Sequence, residues 1–311
     1  MKRLLIWIAG IMAVAVAGDL LLGVAMERAF SRGNLPADYR SIDYVLTRSD
    51  DSVLVLGSSV ALYSVDTHAL ADSLGTTAYN GGAIGQNFPF YLTMLKAVAA
   101  RPVKPHTVLL GISPTNLGDR GAGTRYNILA RYYGRDMADI DSVFTGDKQW
   151  RRLCMHSNAY AYNINWVRIL MTQFSNRTVE GKNGFLGMPV PAVFPSRQSF
   201  EALCEFKPER RTQLAEFAAI CRDNGIRLIV FLAPSLAERR TDAVTDTVRA
   251  MGHRLGFTVW DDTYLPPFDT DSTLYYDAGH LNINGARLYT DTLISRLRTH
   301  GLARAQSAGE M

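Results

Sequence analysis

A serine, an aspartate and a histidine occupy positions from which they could react together. Ser59 follows a short apolar run at residues 52–56, which is typical of a buried strand. Asp277 and His280 lie three residues apart, just before the last helical pattern. A serine is a weak nucleophile at neutral pH unless a base takes its proton and a third group orients that base. The pattern therefore predicts a triad in which Asp277 turns back to Nδ1 of His280 and leaves Nε2 for Ser59.

Each half of this pattern also has an ordinary structural explanation. The run Gly57–Ser59 suits a tight turn with a capping serine, or a phosphate cradle at a helix start. An aspartate and a histidine on one loop are common. The two halves lie at opposite ends of a strand–helix alternation, and this joint placement favours the triad. The Gly-x-Ser-x-Gly elbow of α/β-hydrolases does not occur in the sequence.

The elements that must position these residues alternate between short apolar runs and amphipathic segments. Strands are predicted at residues 52–56, 77–79, 107–110, 226–232 and 257–260, and helices at 88–100, from 209 to about 223, at about 240–254 and from about 284 to 300. This alternation predicts an α/β fold, a three-layer α/β/α sandwich with a mainly parallel, flavodoxin-like sheet of five strands. Ligands of such sheets bind at the carboxyl ends of the strands.

Residues 117–205 interrupt the alternation and are rich in tyrosine and tryptophan. They predict a largely helical and irregular insertion over the carboxyl ends of the strands. Its aromatic side chains would either line a substrate groove or form the insertion's own core. The predicted α/β domain covers residues 51–302 around this insertion, and a disordered tail follows at 303–311.

The N-terminal segment, residues 1–26, predicts a membrane anchor. Residues 4–26 are apolar except for Asp19, and the rise of a helix lets them cross a hydrocarbon core of about 30 Å. The basic start Met1–Arg3 favours a cytoplasmic N-terminus and a catalytic domain outside, on the periplasmic side. A cleaved signal peptide ending near Ala17 is the alternative and would give a secreted or periplasmic protein. We favour the single-pass anchor because the apolar stretch resumes after Asp19, before a polar connector at 27–50 with a short helix near 37–47.

Charge and cysteine usage limit the other partners. The chain has 33 basic and 29 acidic residues, and the net charge of +4 is spread along the sequence, so no nucleic-acid partner is expected. Cys154, Cys204 and Cys221 match no zinc or redox spacing, and neither a metal nor a cofactor is expected. An oxidising compartment would allow a Cys154–Cys204 bridge. We favour three buried thiols, with Cys221 on the apolar face of a helix.

Two sequence blocks resemble the SGNH hydrolase superfamily, the GDSL-like lipases and esterases. Val53–Ser59 is similar to its first block, an apolar strand followed by Gly-Asp-Ser or Gly-Ser-Ser with the last serine as nucleophile. Asp277–Asn282, followed by Gly285 and Ala286, is similar to its last block, Asp-x-x-His-Leu-Asn. In the second block, Asn80–Gly85, the resemblance implies that the backbone N–H of Gly85 is an oxyanion donor. The resemblance covers about residues 50–116 and 226–300.

The third block departs from the superfamily, which usually has Gly-x-Asn-Asp. Ser113 stands at the position of the asparagine donor, and the nearest asparagine is Asn116. The resemblance thus implies Ser113 as the second oxyanion donor, with Asn116 as the alternative. Loss of one donor typically costs about 10²–10³ in rate. The departure is similar to a divergent, membrane-anchored branch that modifies envelope polysaccharides, including alginate-acetylation proteins.

The resemblance implies a serine esterase or O-acyltransferase that forms an acyl-enzyme on Ser59. Its expected substrate is an acylated, notably acetylated, glycan of the cell envelope or a small ester. The altered third block supports one alternative, a catalytically inactive glycan-binding or scaffolding protein with the same fold.

Overall fold

The computed structural model describes residues 1–32, 34–113, 117, 126–134, 140–144, 148–162, 165–174, 182–197, 206–236 and 243–301. The chain divides into two compact units. Met1–Arg40 and Arg125–Val179 form the first, here called the helical unit, and Ser41–Thr124 and Glu180–Met311 form the second, the sheet unit. The tail predicted at 303–311 lies outside the described residues.

The helices and strands have the following bounds. The described α-helices are α1 (Lys2–Arg32), α2 (Ala37–Thr47), α3 (Ser59–Ser64), α4 (Thr67–Leu74), α5 (Phe88–Ala99), α6 (Gln149–Cys154), α7 (Asn158–Tyr162), α8 (Asn165–Gln173), α9 (Pro208–Asp223), α10 (Ala243–Leu255) and α11 (Ile283–Thr299). The described strands are β1 (Val53–Gly57), β2 (Ala78–Asn80), β3 (Thr107–Ile112), β4 (Arg227–Leu232), β5 (Thr258–Asp261), β6 (Tyr275–Asp277) and β7 (His280–Leu281). Short 3₁₀ turns cover Tyr126–Tyr132, Ile140–Phe144, Lys182–Gly184 and Ser272–Leu274.

The sheet unit is built on five parallel strands in the order β2-β1-β3-β4-β5. This is the doubly wound, flavodoxin-like order, and the predicted fold class is confirmed. Strands β1 and β3 are buried along their whole length, as expected for continuous apolar runs covered on both faces. Each predicted strand overlaps an observed one, with ends that differ by one or two residues.

Helices cover the sheet in two groups. Side chains from α3, α4 and α11 share a buried cluster with alternate residues of the central strands, among them Val53, Val55, Leu109, Ile229 and Phe231. Alternate residues of a strand point to the same face of the sheet, so this cluster fills one face. Helices α5 and α9 pack against each other and contribute no residue to that cluster. The arrangement is the α/β/α sandwich that the sequence predicts.

The helical unit has its own core. Met26, Ala29 and Phe30 of α1 are buried together with Leu35, Tyr39, Tyr162 and Ile169. This packing explains why α1 continues past Met26 to Arg32, through the start of the predicted connector. Two of the insertion's aromatic side chains, Tyr132 and Tyr162, are buried in this unit, whereas Trp150 and Trp166 are exposed.

Helix α1 is long and apolar enough to cross a membrane, a property that N-terminal signal sequences share. Its most apolar window has a mean hydropathy of 2.3 and is not buried within the protein. The one acidic residue in the apolar stretch, Asp19, has partners. Its carboxylate accepts hydrogen bonds from Ser157 Oγ at 2.8 Å, Asn158 N at 3.0 Å and Ala159 N at 2.8 Å. Asp19 therefore ties α1 to the start of α7.

The described cysteines are free thiols. Cys221 is buried on α9, as predicted, and burial raises the pKa of its thiol to about 12. Cys154 is only partly buried at the end of α6, so the expectation of a buried thiol is wrong there. Cys204 lies outside the described residues.

Candidate active site

The fold brings together the three residues that the sequence singles out for nucleophilic chemistry. Ser59 Oγ lies 2.9 Å from His280 Nε2, although the two residues are 221 positions apart in the chain. His280 Nδ1 lies 2.9 Å from both Oδ1 and Oδ2 of Asp277. An ionised carboxylate only accepts hydrogen bonds, so Nδ1–H donates to Asp277 and Nε2 is left to accept from the Ser59 hydroxyl. The hydrogen bonds therefore form a continuous chain from the Ser59 hydroxyl through His280 to the Asp277 carboxylate.

Ser59 is held where β1 ends and α3 begins. Gly57, the last residue of β1, has a φ of +139°, a conformation that side chains disfavour. Ser58 follows in extended conformation as the N-cap of α3, and its hydroxyl accepts from Val60 N. Ser58 N in turn donates to Gly111 O on the neighbouring strand β3 at 3.3 Å. Ser58 is thus the capping residue, which leaves the Ser59 hydroxyl for His280.

Asp277 and His280 lie on a short hairpin, whereas the sequence predicts that both lie on one loop. Strands β6 and β7 pair antiparallel, with Asp277 opposite His280. The carboxylate also accepts from Gly279 N at 2.8 Å, which closes the turn between the two strands. Pairing across the hairpin and this turn fix the direction from which the carboxylate meets the imidazole.

Asn282, two residues after His280, makes side-chain hydrogen bonds both to the hairpin and to the start of α11. It is fully buried, and its amide nitrogen donates to Thr273 O at 2.8 Å and Tyr275 O at 3.1 Å. Its side-chain oxygen accepts from Asn284 N and Gly285 N and so caps α11. One side chain therefore ties the hairpin to the helix behind it.

The electrostatics of the site favour an ionised Asp277. Partial burial acts to raise the pKa of this carboxyl, but the hydrogen bonds from His280 and Gly279 outweigh burial and hold the pKa below its ordinary value. Ionised Asp277 is the state that accepts from Nδ1–H and stabilises a positively charged imidazole.

Tyr63 belongs to the site and no sequence signal pointed to it. It lies on α3, one helical turn after Ser59, and packs edge-on against His280 with ring centroids 5.4 Å apart. Burial and the nearby charge of Asp277 raise the pKa of the Tyr63 hydroxyl. The packed ring restricts rotation of the imidazole.

The two residues proposed from the sequence as oxyanion donors follow the two strands that flank β1. Gly85 follows β2, and Ser113 follows β3. Gly57 of β1 pairs in register with Gly111 of β3, and Ser59 and Ser113 each lie two residues further along the chain. Parallel strands end at one edge of the sheet, so both serines leave the sheet at the same edge. Gly85 lies in the segment that follows β2, with a φ of +67°. Asn116 lies outside the described residues, and the donor roles remain predictions.

Asn80 connects the Gly85 segment to the nucleophile helix. It is fully buried at the end of β2, and its amide nitrogen donates to Ala61 O and Val65 O, each at 2.9 Å. Its side-chain oxygen accepts from Gly82 N at 3.0 Å. The asparagine of the second sequence block thus satisfies carbonyls at the end of α3 and fixes the chain towards Gly85.

A further segment, residues 182–197, borders the site. Leu186 N donates to Leu62 O at 3.4 Å, three residues from Ser59, and Ile283 N donates to Met188 O at 2.8 Å, three residues from His280. The segment falls within the predicted insertion, yet it belongs to the sheet unit. It connects the serine side of the site with the histidine side.

The part of the chain that the structure describes contains no group of three or more His, Cys, Asp or Glu side chains that could hold a metal ion.

No family model matches the sequence, and no curated protein matches it. Several solved structures are similar to the chain, among them the following three. A protein named provisionally as an acylhydrolase from Bacteroides fragilis is 12% identical, with a TM-score of 0.41, over 80% of this chain and 87% of that one. A GDSL-like lipase from Bacteroides thetaiotaomicron is 11% identical, with a TM-score of 0.39, over 85% and 98%. A protein named provisionally as a platelet activating factor from Streptococcus pneumoniae is 13% identical, with a TM-score of 0.38, over 91% and 99%. A likeness at these values says nothing about the reaction, which has to be inferred from the site.

Proposed function

We propose that the protein is a serine esterase or O-acyltransferase that works through an acyl-enzyme on Ser59. The observation that carries the proposal is the line of hydrogen bonds from the Ser59 hydroxyl through His280 to Asp277. A serine, a base within hydrogen-bonding distance and a group that orients the base are what nucleophilic catalysis requires.

In the acylation step, Ser59 Oγ attacks the carbonyl carbon of an ester and its proton passes to His280 Nε2. The carbon–oxygen bond to the leaving alcohol then breaks, and His280 returns the proton to that alcohol. Ser59 keeps the acyl group as an ester. Asp277 stays ionised throughout and stabilises the imidazolium, in keeping with the lowered pKa of its carboxyl.

In the second step, an acceptor hydroxyl attacks the acyl-enzyme and gives its proton to His280. Water as acceptor yields a free carboxylic acid, and a sugar hydroxyl yields a new ester. The bond between the acyl carbon and Ser59 Oγ breaks, and His280 returns the proton to Ser59 Oγ. Hydrolysis and transfer share every protein group, so the acceptor decides between them.

We assign stabilisation of the developing oxyanion to the backbone N–H of Gly85 and to Ser113. Their support is positional, since both follow strands next to β1 at its carboxyl edge. Asn80 acts as a positioning residue for the Gly85 segment through its bonds to Ala61 O, Val65 O and Gly82 N.

The proposed substrate is an O-acylated, notably acetylated, glycan of the cell envelope. This assignment rests on the resemblance of the sequence blocks and on α1, which we propose as a single-pass anchor of the cell membrane. The basic residues Lys2 and Arg3 precede the apolar stretch and favour a sheet unit on the periplasmic side.

The proposal is tested with the full chain, purified in detergent and assayed on p-nitrophenyl acetate and then on acetylated glycans with sugar acceptors. Ser59→Ala and His280→Ala should each lower kcat by about 10⁴-fold, and the double variant should be hardly slower, because the triad acts as a unit. Asp277→Asn should cost less than either. Ser58→Ala is the matched control, since it removes the adjacent hydroxyl and only the cap of α3.

Full activity of Ser59→Ala would contradict the proposal. The altered third block supports one other candidate, a glycan-binding or scaffolding protein without activity. Inactive wild-type protein with a glycan bound over an unmodified Ser59 would favour that candidate.

A further inference from the structure

Helix α8 of the helical unit has apolar residues on two opposite faces. Ile169 is fully buried in the core of the unit. Val167, Met171 and Phe174, at the end of the helix, are spaced i, i+4 and i+7 and so lie on the face opposite Ile169. Met171 and Phe174 are 67% and 90% exposed. A helix of a globular protein normally has one apolar stripe, so the outward stripe indicates a second apolar neighbour.

Helix α6 has a similar exposed pair. Trp150 and Leu153 are spaced i and i+3 and lie on one face, 56% and 64% exposed. Exposed Lys148 lies two residues before Trp150, and Arg151 follows Trp150 directly. Tryptophan beside a basic residue is typical of protein segments at the boundary between hydrocarbon and headgroups. We call Trp150, Leu153, Val167, Met171 and Phe174 together the interfacial patch.

Contacts of α1 fix the level of these helices along the anchor. Asp19 accepts hydrogen bonds from the residues that start α7, and the Asn158 side chain packs so closely on Gly23 that a Cβ there would lie 2.7 Å from its nitrogen. Asp19 precedes Met26 by about 10 Å along the helix. If residues 4–26 span the bilayer, the start of α7 lies within about 10 Å of its outer boundary.

Helices α6 and α8 directly precede and follow α7 in the chain and belong to the same unit. On α1, Leu20, Leu21 and Val24 are exposed at the level of Asp19 and Gly23. They extend the apolar surface of the anchor up to the region where α7 packs. If α1 spans the bilayer, lipid is the apolar phase that meets this unit at the level of α7, which α6 and α8 flank in the chain.

We propose that the interfacial patch inserts into the outer surface of the same bilayer that α1 crosses. The proposal rests on the anchor part of the proposed function and is independent of the chemistry at Ser59. The helical unit would then be held by a spanning helix and by two helices lying at the surface. Single-point anchoring through α1 alone would leave the unit free to tilt away from the membrane.

The test uses the full chain in lipid nanodiscs that each contain a single copy. An environment-sensitive dye is attached at Met171→Cys in a Cys154→Ser, Cys204→Ser background, where Cys221 stays buried and unreactive. Quenching by lipids with a spin label near the headgroup is then measured. Labels at Ile11→Cys in α1 and at Ala250→Cys, exposed on α10, serve as membrane and water references.

Strong quenching at position 171, close to the value at position 11, supports the proposal. A water-exposed signal at 171 together with quenching at 11 overturns the proposal and leaves the anchor intact. Loss of quenching at both positions overturns the proposal and the anchor together. A parallel preparation uses discs that each contain two copies. Shielding of the dye there, but not in the single-copy discs, would make the patch a contact between chains and would also overturn the proposal. Esterase activity of the labelled protein reports separately on Ser59.

Discussion

Gly57 and Gly111 occupy paired positions on β1 and β3 and approach each other more closely than any side chain would allow. A Cβ on Gly57 would lie 2.0 Å from Gly111 O, and a Cβ on Gly111 would lie 2.7 Å from Ala61 Cβ of α3. The same carbonyl of Gly111 accepts from Ser58 N. The missing side chains therefore let α3 pack on the end of the sheet and set the position of Ser59.

Gly57→Ala is predicted to displace Ser59 and to abolish most of the activity. Alanine would be strained at a φ of +139° and would collide with backbone, which cannot move as a flexible side chain can. Gly225→Ala is the control, since Gly225 also has a positive φ but open space around it. We expect that control to lose about 1 kcal/mol of stability and no activity. Equal effects of both variants on kcat and on the thermal midpoint would contradict this account.

Asn80→Asp is predicted to destabilise the sheet unit strongly. The amide nitrogen that donates to Ala61 O and Val65 O would be replaced by a carboxylate oxygen facing two carbonyls in a fully buried position. An uncompensated buried charge costs about 3–5 kcal/mol. Asn284→Asp makes the same chemical change at an exposed site in the first turn of α11, where a negative charge is favourable. Thermal unfolding measures both, and a similar midpoint for the two variants would refute the role of Asn80.

Ser113→Ala is predicted to lower kcat by about 10-fold or more with little change in KM, because an oxyanion donor acts mainly in the transition state. Ser113→Asn should retain or raise kcat. Steady-state kinetics on p-nitrophenyl acetate test both variants. If Ser113→Ala leaves kcat unchanged and Asn116→Ala lowers it, the donor role belongs to Asn116.

The anchor predicts that the native chain stays in the membrane fraction through high-salt and carbonate washes. Its N-terminus should begin at or near Met1. Fractionation followed by N-terminal sequencing measures both properties. Recovery of a soluble protein that begins at Gly18 would show that the apolar segment is a cleaved signal.

The parts of the fold that could be predicted from the sequence are those with local causes. The buried strands are continuous apolar runs in the sequence because both faces of the sheet are covered there, as at Val53–Gly57 and Thr107–Ile112. The predicted end of α9 coincides with Asn224 and Gly225, which stop a helix by their backbone preferences. Ser59, Asp277 and His280 were recognisable because their residue types and places in the alternation both suited the chemistry.

The remaining features depend on contacts between distant residues. Tyr63 looks like any apolar position of a short helix until His280 packs against it. The hairpin around Asp277 has too few residues for a periodic pattern. Residues 182–197 carry no helix or strand pattern, and their membership of the sheet unit follows from bonds to Leu62 and Ile283. In the sequence, Asp19 is a charged residue that is unfavourable within an apolar helix. Its hydrogen-bond partners lie at the start of α7 and become apparent only in the structure.

Labelling of the full chain with a fluorophosphonate, followed by peptide mapping, tests the central claim most directly, because the probe forms a stable adduct with an activated serine and needs no knowledge of the substrate. We predict one adduct per chain on Ser59, lost in Ser59→Ala, strongly slowed in His280→Ala and unchanged in Ser58→Ala. A wild-type chain that is never labelled, or labelling that persists in Ser59→Ala, would contradict the assignment of Ser59 as the nucleophile.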